Sequence, residues 1–120
     1  MKFKINNRNW EIKEVSQKEI KEKEKEYYNN GVYNNPVEDG RYFGITYHDE
    51  QLILIDKDLH PERKRITLMH ELTHCYINCF MTHQDFEYNE EFVCDIVANS
   101  HDIIHDITNE YFENMEYKVE

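Results

Sequence analysis

The stretch Pro61–Phe80 constrains this chain more than any other, because no Gly or Pro interrupts it after its first residue. His60, Pro61 and Glu62 have the features of a helix start, with proline at the first helical position and an acid in the first turn. The sequence therefore predicts one long helix, which begins at about Pro61 and continues to about Phe80.

That helix carries the motif His70-Glu71-Leu72-Thr73-His74. Residues four apart lie on the same face of a helix, so both imidazoles can reach one Zn²⁺ with Glu71 beside it, which is the pattern of zinc hydrolases. The chain contains 7 His and many acids, so a chance match is the competing interpretation. In that case His70 and His74 are simply exposed on a surface helix.

Apolar residues recur along the helix at spacings of three and four, and they fall on more than one side of it. They are Ile66, Met69, Leu72, Tyr76, Ile77 and Phe80. We therefore expect a largely buried helix. Buried polar groups need partners, and a shared metal ion would provide one for both His70 and His74.

A catalytic zinc usually has three protein ligands and one open position, so a third ligand should come from another element. A second helix is expected from Glu90, and Glu91 at its start is our choice of ligand. Asp95 lies four residues further on the same face, where it could accept a hydrogen bond from a ligand histidine. Glu90 is the rival third ligand.

These two segments, residues 66–76 and 89–95, resemble the small ImmA/IrrE-type metallopeptidases, particularly the forms carried by phages and mobile elements. More broadly, HExxH followed by a glutamate helix is similar to the gluzincin arrangement. The resemblance covers about residues 41–107. It implies an α+β, minimal zincin-like fold, in which a small antiparallel sheet packs on the HExxH helix and on the following glutamate-bearing helix. It also implies an intracellular protein substrate, such as a regulatory protein.

The combined prediction is a zinc-dependent metallopeptidase with one Zn²⁺ held by His70, His74 and Glu91. Glu71 would act as general base toward the water that attacks the peptide carbonyl. An oxyanion donor is also expected, and Tyr111, Tyr88 and His83 are equal candidates. The alternative function is a non-catalytic zincin-like module that binds a regulatory partner protein.

Composition restricts the remaining possibilities. The 120 residues, 39% of them hydrophobic, predict a single domain over residues 1–120. The net charge of −11 provides no footprint for nucleic acid, and it either favours basic substrates or reflects solubility alone. We find no membrane span and no signal peptide, so the expected compartment is the cytoplasm.

The three cysteines, Cys75, Cys79 and Cys94, are expected to be reduced, because an odd number on predicted helices does not fit a disulfide framework. Cys75 and Cys79 are four apart, but burial as small apolar residues is favoured over metal binding. A redox role receives little support, since the chain has no CxxC motif.

The first half of the chain predicts strands and one helix. Residues 1–15 are expected to form a strand or a hairpin, and Ser16 opens a capping box with Glu19 for a helix that ends at about Tyr28. Residues 42–47 and 51–55 form a hairpin. By resemblance to zincins its strand could bind extended substrate, but an ordinary core strand is an equal alternative, since strand addition requires an exposed sheet edge.

The second core helix is expected to have apolar residues at helical spacing as far as Tyr111 and a polar tail from Glu113. His101 and His105 are also four apart on it, but no glutamate follows the first of them. We therefore expect these two to be ordinary exposed or core histidines. His48 and His83 are expected in loops, without a role.

Overall fold

The computed structural model describes residues 1–27, 40–80 and 89–119, with the backbone alone for residues 116–119. The described elements confirm the α+β class. In chain order they are β1 (Lys2–Ile5), β2 (Arg8–Val15), α1 (Gln17–Tyr27), β3 (Gly44–Tyr47), β4 (Leu52–Asp56), α2 (Pro61–Phe80) and α3 (Glu90–Val119).

The N-terminal hairpin, β1 and β2, is confirmed, and its turn explains how two asparagines are used. Asn6 and Asn7 have φ angles of 49° and 63°. Asparagine tolerates this left-handed region better than most residues, and two such residues in succession suit the tight turn of a twisted hairpin. The hairpin places Trp10 in the core, where its side chain is almost completely buried.

The four strands form one sheet in the order β1-β2-β4-β3. The two outer pairings are antiparallel, as expected, but β2 and β4 are parallel, with Ile12 opposite Ile53. The prediction of an antiparallel sheet was therefore wrong for its central pair. A parallel pair cannot be joined by a tight turn, and here α1 lies in the long connection between β2 and β3.

Strand β4 is buried on both faces, as its continuous apolar run predicts. Ile53 and Ile55 point into the main core with α2 and α3, whereas Leu54 packs with Ile20 of α1 on the opposite face. The start of α1 confirms the predicted cap, since the Ser16 hydroxyl accepts a hydrogen bond from the Glu19 amide at 3.2 Å. The sheet thus lies between α1 and the pair of longer helices.

Helix α2 has the predicted bounds, but it is buried along one stripe only. Its fully buried apolar residues are Leu68, Leu72, Cys75 and Cys79. Their spacing of four, three and four gives a single face toward the sheet. Ile66 is 60% exposed and Phe80 is also exposed, so the expectation of a helix buried on several sides was wrong.

Helix α3 packs against α2 through the buried side chains of Ile104, Ile107 and Tyr111. It continues without a break to Val119, past Glu113, where the polar tail was expected to begin. Cys75 and Cys79 are buried and Cys94 is exposed, and all three thiols are free. None of the helices in the described ranges has the length and apolar character needed to span a membrane.

Candidate metal centre

His70 and His74 lie side by side on α2, with their ring centroids 5.0 Å apart. Both are exposed, and the side chain of His70 is 68% accessible to solvent. The expectation that His70 and His74 are buried, and therefore need a shared metal ion as a partner, is wrong. What the helix provides is two adjacent imidazoles that are open to solvent and to a ligand.

Glu71 is buried between α2 and the sheet, with only 5% of its surface exposed. The Thr46 hydroxyl of β3 donates a hydrogen bond to Glu71 Oε1 at 2.8 Å and lies 3.3 Å from the Glu71 carbonyl oxygen. The second carboxylate oxygen, Oε2, is 3.8 Å from His70 Nε2. One oxygen of this carboxylate is thus held by the sheet, and the other faces His70.

His48 is a neighbour of this pair that the sequence analysis left without a role. It follows β3 directly, and its ring centroid lies 6.5 Å from that of His74 and 6.4 Å from that of Trp10. Burial lowers the pKa of His48, the charge of His74 lowers it further, and Asp49 opposes both. The packing of β3 against α2 brings His48, which follows the last residue of β3, to His74.

The predicted third ligand is not gathered with the histidines. Glu91 lies at the second position of α3 and is exposed, as are Glu90 and Asp95. No three His, Cys, Asp or Glu side chains within residues 1–27, 40–80 and 89–115 are grouped as ligands for a metal ion. Asp95 makes no hydrogen bond to His70 or His74, so its expected contact with a ligand histidine is absent as well.

The chemistry of this donor set fits a first-row metal at His70 and His74. Two neutral imidazoles at positions i and i+4 on a solvent-facing surface are an ordinary bidentate ligand for Zn²⁺. The carboxylates of Glu90 and Glu91 take part in no ion pair within the described residues, so neither is committed to a partner among them. The described residues therefore provide two ligands and two available carboxylates.

The packing of α3 gives Tyr111, one of the three candidates for the oxyanion donor, a structural partner instead. The buried Tyr111 hydroxyl donates to Glu14 of β2, and burial followed by this bond raises the pKa of Tyr111. Tyr111 therefore ties α3 to the sheet. Tyr88 and His83 lie outside the described residues.

Two open clefts adjoin His70 on opposite sides. One separates α2 from α3, and it contains Thr73 together with Val97 and His101. The other separates α2 from residues 41–44 and includes Glu71 at its floor. The second cleft reaches the start of β3 at Gly44. This strand is at the edge of the sheet and pairs with no described strand on its outer side.

His101 and His105 stack on each other on α3, with their ring centroids 4.2 Å apart. His101 is exposed and contacts Asp102, and His105 is partly buried. These two belong to the wall of the cleft between α2 and α3, and no third ligand in the described part of the chain joins them.

A match to a known protein family shows which kind of domain carries this arrangement of residues. Residues 33–120 match the peptidase M78 family, described as the IrrE N-terminal-like domain. The chain belongs to this IrrE-like peptidase family. The match contains β3, β4, α2 and α3, and so it includes every residue of the candidate centre discussed above. No curated protein and no solved structure matches the chain significantly.

Membership confirms the resemblance drawn from residues 66–76 and 89–95 and identifies a peptidase-type domain. The N-terminal hairpin and α1 lie before the matched range. In the IrrE-like chain described here, the HExxH helix is therefore supported by a sheet of which two strands come from outside the matched residues.

Proposed function

We propose that this protein is a zinc-dependent peptidase that hydrolyses a peptide bond in a protein substrate. The observation that carries the proposal is the arrangement of Glu71, which is buried and fixed by Thr46 through one carboxylate oxygen. Its other oxygen faces His70, whose ring lies beside that of the exposed His74. Zn²⁺ bound there would supply an acidified water and polarise the substrate carbonyl.

Glu71 has the position required of a general base. Its Oε1 is occupied by the Thr46 hydroxyl, which leaves Oε2 free to accept the proton of the attacking water. The same carboxyl group then delivers that proton to the leaving amide nitrogen, a transfer worth roughly 10² to 10⁴ in rate. Because the carboxylate is held against the sheet, it loses little conformational freedom when it reacts.

His70 and His74 would hold the metal together with Glu91. We retain Glu91 over Glu90 on its sequence spacing from Asp95 alone, since Asp95 makes no hydrogen bond to either histidine in the structure. The start of α3 follows directly on residues 81–88, which the structure does not describe. The family match extends over this segment and favours a complete centre.

The edge strand β3 supports a peptide substrate. Its outer side pairs with no described strand, and Thr46 of this strand contacts the proposed base. A peptide that added to β3 would use main-chain hydrogen bonds and would pass directly over Glu71 and His70. Among the described residues the outer side of β3 is thus left unpaired, which supports the sequence-based hypothesis of strand addition.

A second function remains a candidate because of one observation, the absence of a third ligand near the histidines among the described residues. A zincin-like module without a complete centre would act by binding a regulatory partner at the same cleft. Such a module has no need of the Thr46 to Glu71 hydrogen bond, which is why we favour the peptidase.

The deciding experiment measures bound zinc and hydrolysis for the parent protein and three variants. His74→Ala should lose the metal, whereas Glu71→Gln should keep it, and both should lose hydrolysis of a protein mixture. His101→Ala is the matched control, since it removes a histidine of α3 that belongs to the other cleft. It should retain both zinc and activity.

The two functions give different results. A parent protein that binds zinc stoichiometrically and cleaves peptides supports the peptidase. A parent protein without zinc at physiological concentrations contradicts it and favours the binding module. Loss of zinc in Glu71→Gln would also contradict the proposal, because it would make Glu71 a ligand instead of a base.

A further inference from the structure

The cleft between α2 and the edge strand carries two arginines in a chain of net charge −11. Arg41 precedes β3 and Arg63 lies in the first turn of α2, so the two approach the cleft from opposite walls. Glu71 and His70 line the same cleft. Two guanidinium groups therefore lie beside the proposed reaction centre.

Phe43 fixes the positions of both arginines. The central guanidinium carbon of Arg63 is 5.3 Å from the centroid of the Phe43 ring, and that of Arg41 is 5.7 Å from it. The ring is 42% exposed, and its backbone is held because the Phe43 carbonyl accepts a hydrogen bond from the Asp56 amide at 2.9 Å. A guanidinium that stacks on an aromatic ring keeps its in-plane N–H groups free for an acceptor.

The two arginines differ in how their charge is balanced. Arg41 Nε donates to the buried carboxylate of Asp56 at 3.0 Å, which compensates its charge, but its two Nη groups have no acceptor among the described residues. Arg63 forms no ion pair with any described residue and is exposed. Within the described part of the chain, Arg63 thus provides a charge without a counter-ion, and Arg41 provides additional donors.

We propose that the substrate carries an acidic side chain close to the scissile bond, and that its carboxylate binds between Arg63 and Arg41 over the Phe43 ring. This inference rests on the proposed peptidase function, because it names the substrate class of the same site. An acidic substrate is the opposite of what the net charge of −11 favours, because the overall electrostatic field of the protein attracts basic peptides. Selection would instead occur at contact range, where a guanidinium binds a carboxylate with two parallel hydrogen bonds.

The test uses the zinc-loaded, full-length protein and three mixtures of ten-residue peptides. All peptides are acetylated and amidated, the fifth position is Glu, Gln or Lys, and the other positions are random uncharged residues. Cleavage is followed by mass spectrometry. Binding is followed separately in the zinc-loaded Glu71→Gln variant through the ¹⁵N NMR signals of the arginine Nε–H groups.

We expect the Glu mixture to be cleaved about tenfold faster than the Gln mixture, in keeping with a charge-assisted hydrogen bond. Arg63→Gln should reduce this preference to about one. Arg65→Gln is the matched control, because Arg65 lies two residues away on α2 and contacts Asn109 and Phe112 on α3 instead of the cleft. It should leave the preference unchanged.

Several results would overturn the inference. They are equal cleavage of the Glu and Gln mixtures, faster cleavage of the Lys mixture, or an undiminished preference in Arg63→Gln.

The proposed function and the present inference can fail separately. If no mixture is cleaved but the Glu mixture alone shifts the Arg63 Nε–H signal, the peptidase is wrong and the carboxylate site is right. If all mixtures are cleaved equally and no arginine signal moves, the peptidase is right and the carboxylate site is wrong.

Discussion

Thr46 and Glu71 are 25 residues apart in sequence, yet the Thr46 hydroxyl donates to Glu71 Oε1 at 2.8 Å in the structure. This hydrogen bond joins the edge of the sheet to the middle of the HExxH helix. It makes the orientation of the proposed base depend on a strand to which substrate is expected to bind.

Thr46→Val removes this donor and keeps the shape of the side chain, so Glu71 should lose its fixed orientation while the histidines remain in place. We expect kcat/KM for a cleaved peptide to fall about tenfold, as is usual for groups that orient an active-site residue. Zinc content should not change. Thr46→Ser, which keeps the hydroxyl, should recover most of the activity, and equal losses in the two variants would contradict this role.

Glu91→Gln should weaken zinc binding more than about 100-fold, because changes outside the ligand shell already cost 10- to 100-fold. Glu90→Gln is the matched control, since it removes the same charge one position earlier. The measurement is competition with a chelator of known zinc affinity. The opposite order of the two variants would transfer the assignment to Glu90, and equal effects would exclude both as specific ligands.

Gly44→Ala should separate the edge strand from α2. A Cβ at this position would lie 2.8 Å from Thr67 Cγ2 and 3.1 Å from the Leu54 carbonyl oxygen. We expect a loss of about 1 to 3 kcal/mol in the free energy of unfolding, measured in urea, together with reduced activity, because overpacked sites shift the backbone.

The second variant identifies the cause of that loss. Thr67→Ser removes the Cγ2 methyl group, so the double variant should be less destabilised than the sum of the single variants. Strict additivity would mean that the strain arises instead from the Leu54 carbonyl or from Ile55 Cδ1, which lies 3.1 Å from the same Cβ position.

Asp56 should stabilise the fold only above acidic pH. Burial alone would raise its pKa, but hydrogen bonds from the Asp58 amide, Arg41 and Gln17 outweigh burial and lower the pKa below the usual 3.8. Because the folded pKa is below the unfolded value, the contribution is complete above about pH 4 and is lost as the pH falls through the folded pKa.

Asp56→Asn should therefore cost about 2 kcal/mol at pH 7, in line with hydrogen bonds to a charged group. The difference from the parent protein should shrink as urea unfolding is repeated at successively lower pH values below 4. Asp58→Asn, at an exposed position, is the control and should change little. A difference that stays constant down to the lowest pH would show that the charge of Asp56 makes no contribution.

The local elements could be predicted because their signals are contained within a few residues. Pro61 begins α2 as expected, and Ser16 caps α1 as expected. The order of the strands could not be predicted in this way, since parallel pairing of β2 with β4 depends on contacts between distant segments. The proximity of His48 to His74 depends on how β3 packs against α2, which is also a contact between distant segments, and it was missed for that reason.

The burial of α2 shows a second limit of the sequence. The spacing of apolar residues shows which faces of a helix could be buried. Which faces are buried depends on how many other helices and strands pack against that helix. Leu72 faces the sheet, whereas Ile66, with equally apolar spacing, borders both clefts and stays exposed. The HExxH pair was predicted as a motif from its helical spacing. The expected burial of the two histidines was wrong, since they lie on the solvent-exposed side of α2.

The parallel pairing of β2 with β4 has a practical consequence for anyone who engineers this protein. Residues 33–120 match the family, but two of the four strands and the buried Trp10 belong to the residues before them. A fragment cut at the family boundary would leave β4 with an unpaired edge and would expose Ile53 and Ile55. The smallest unit that can be transplanted with its cleft intact therefore begins at β1.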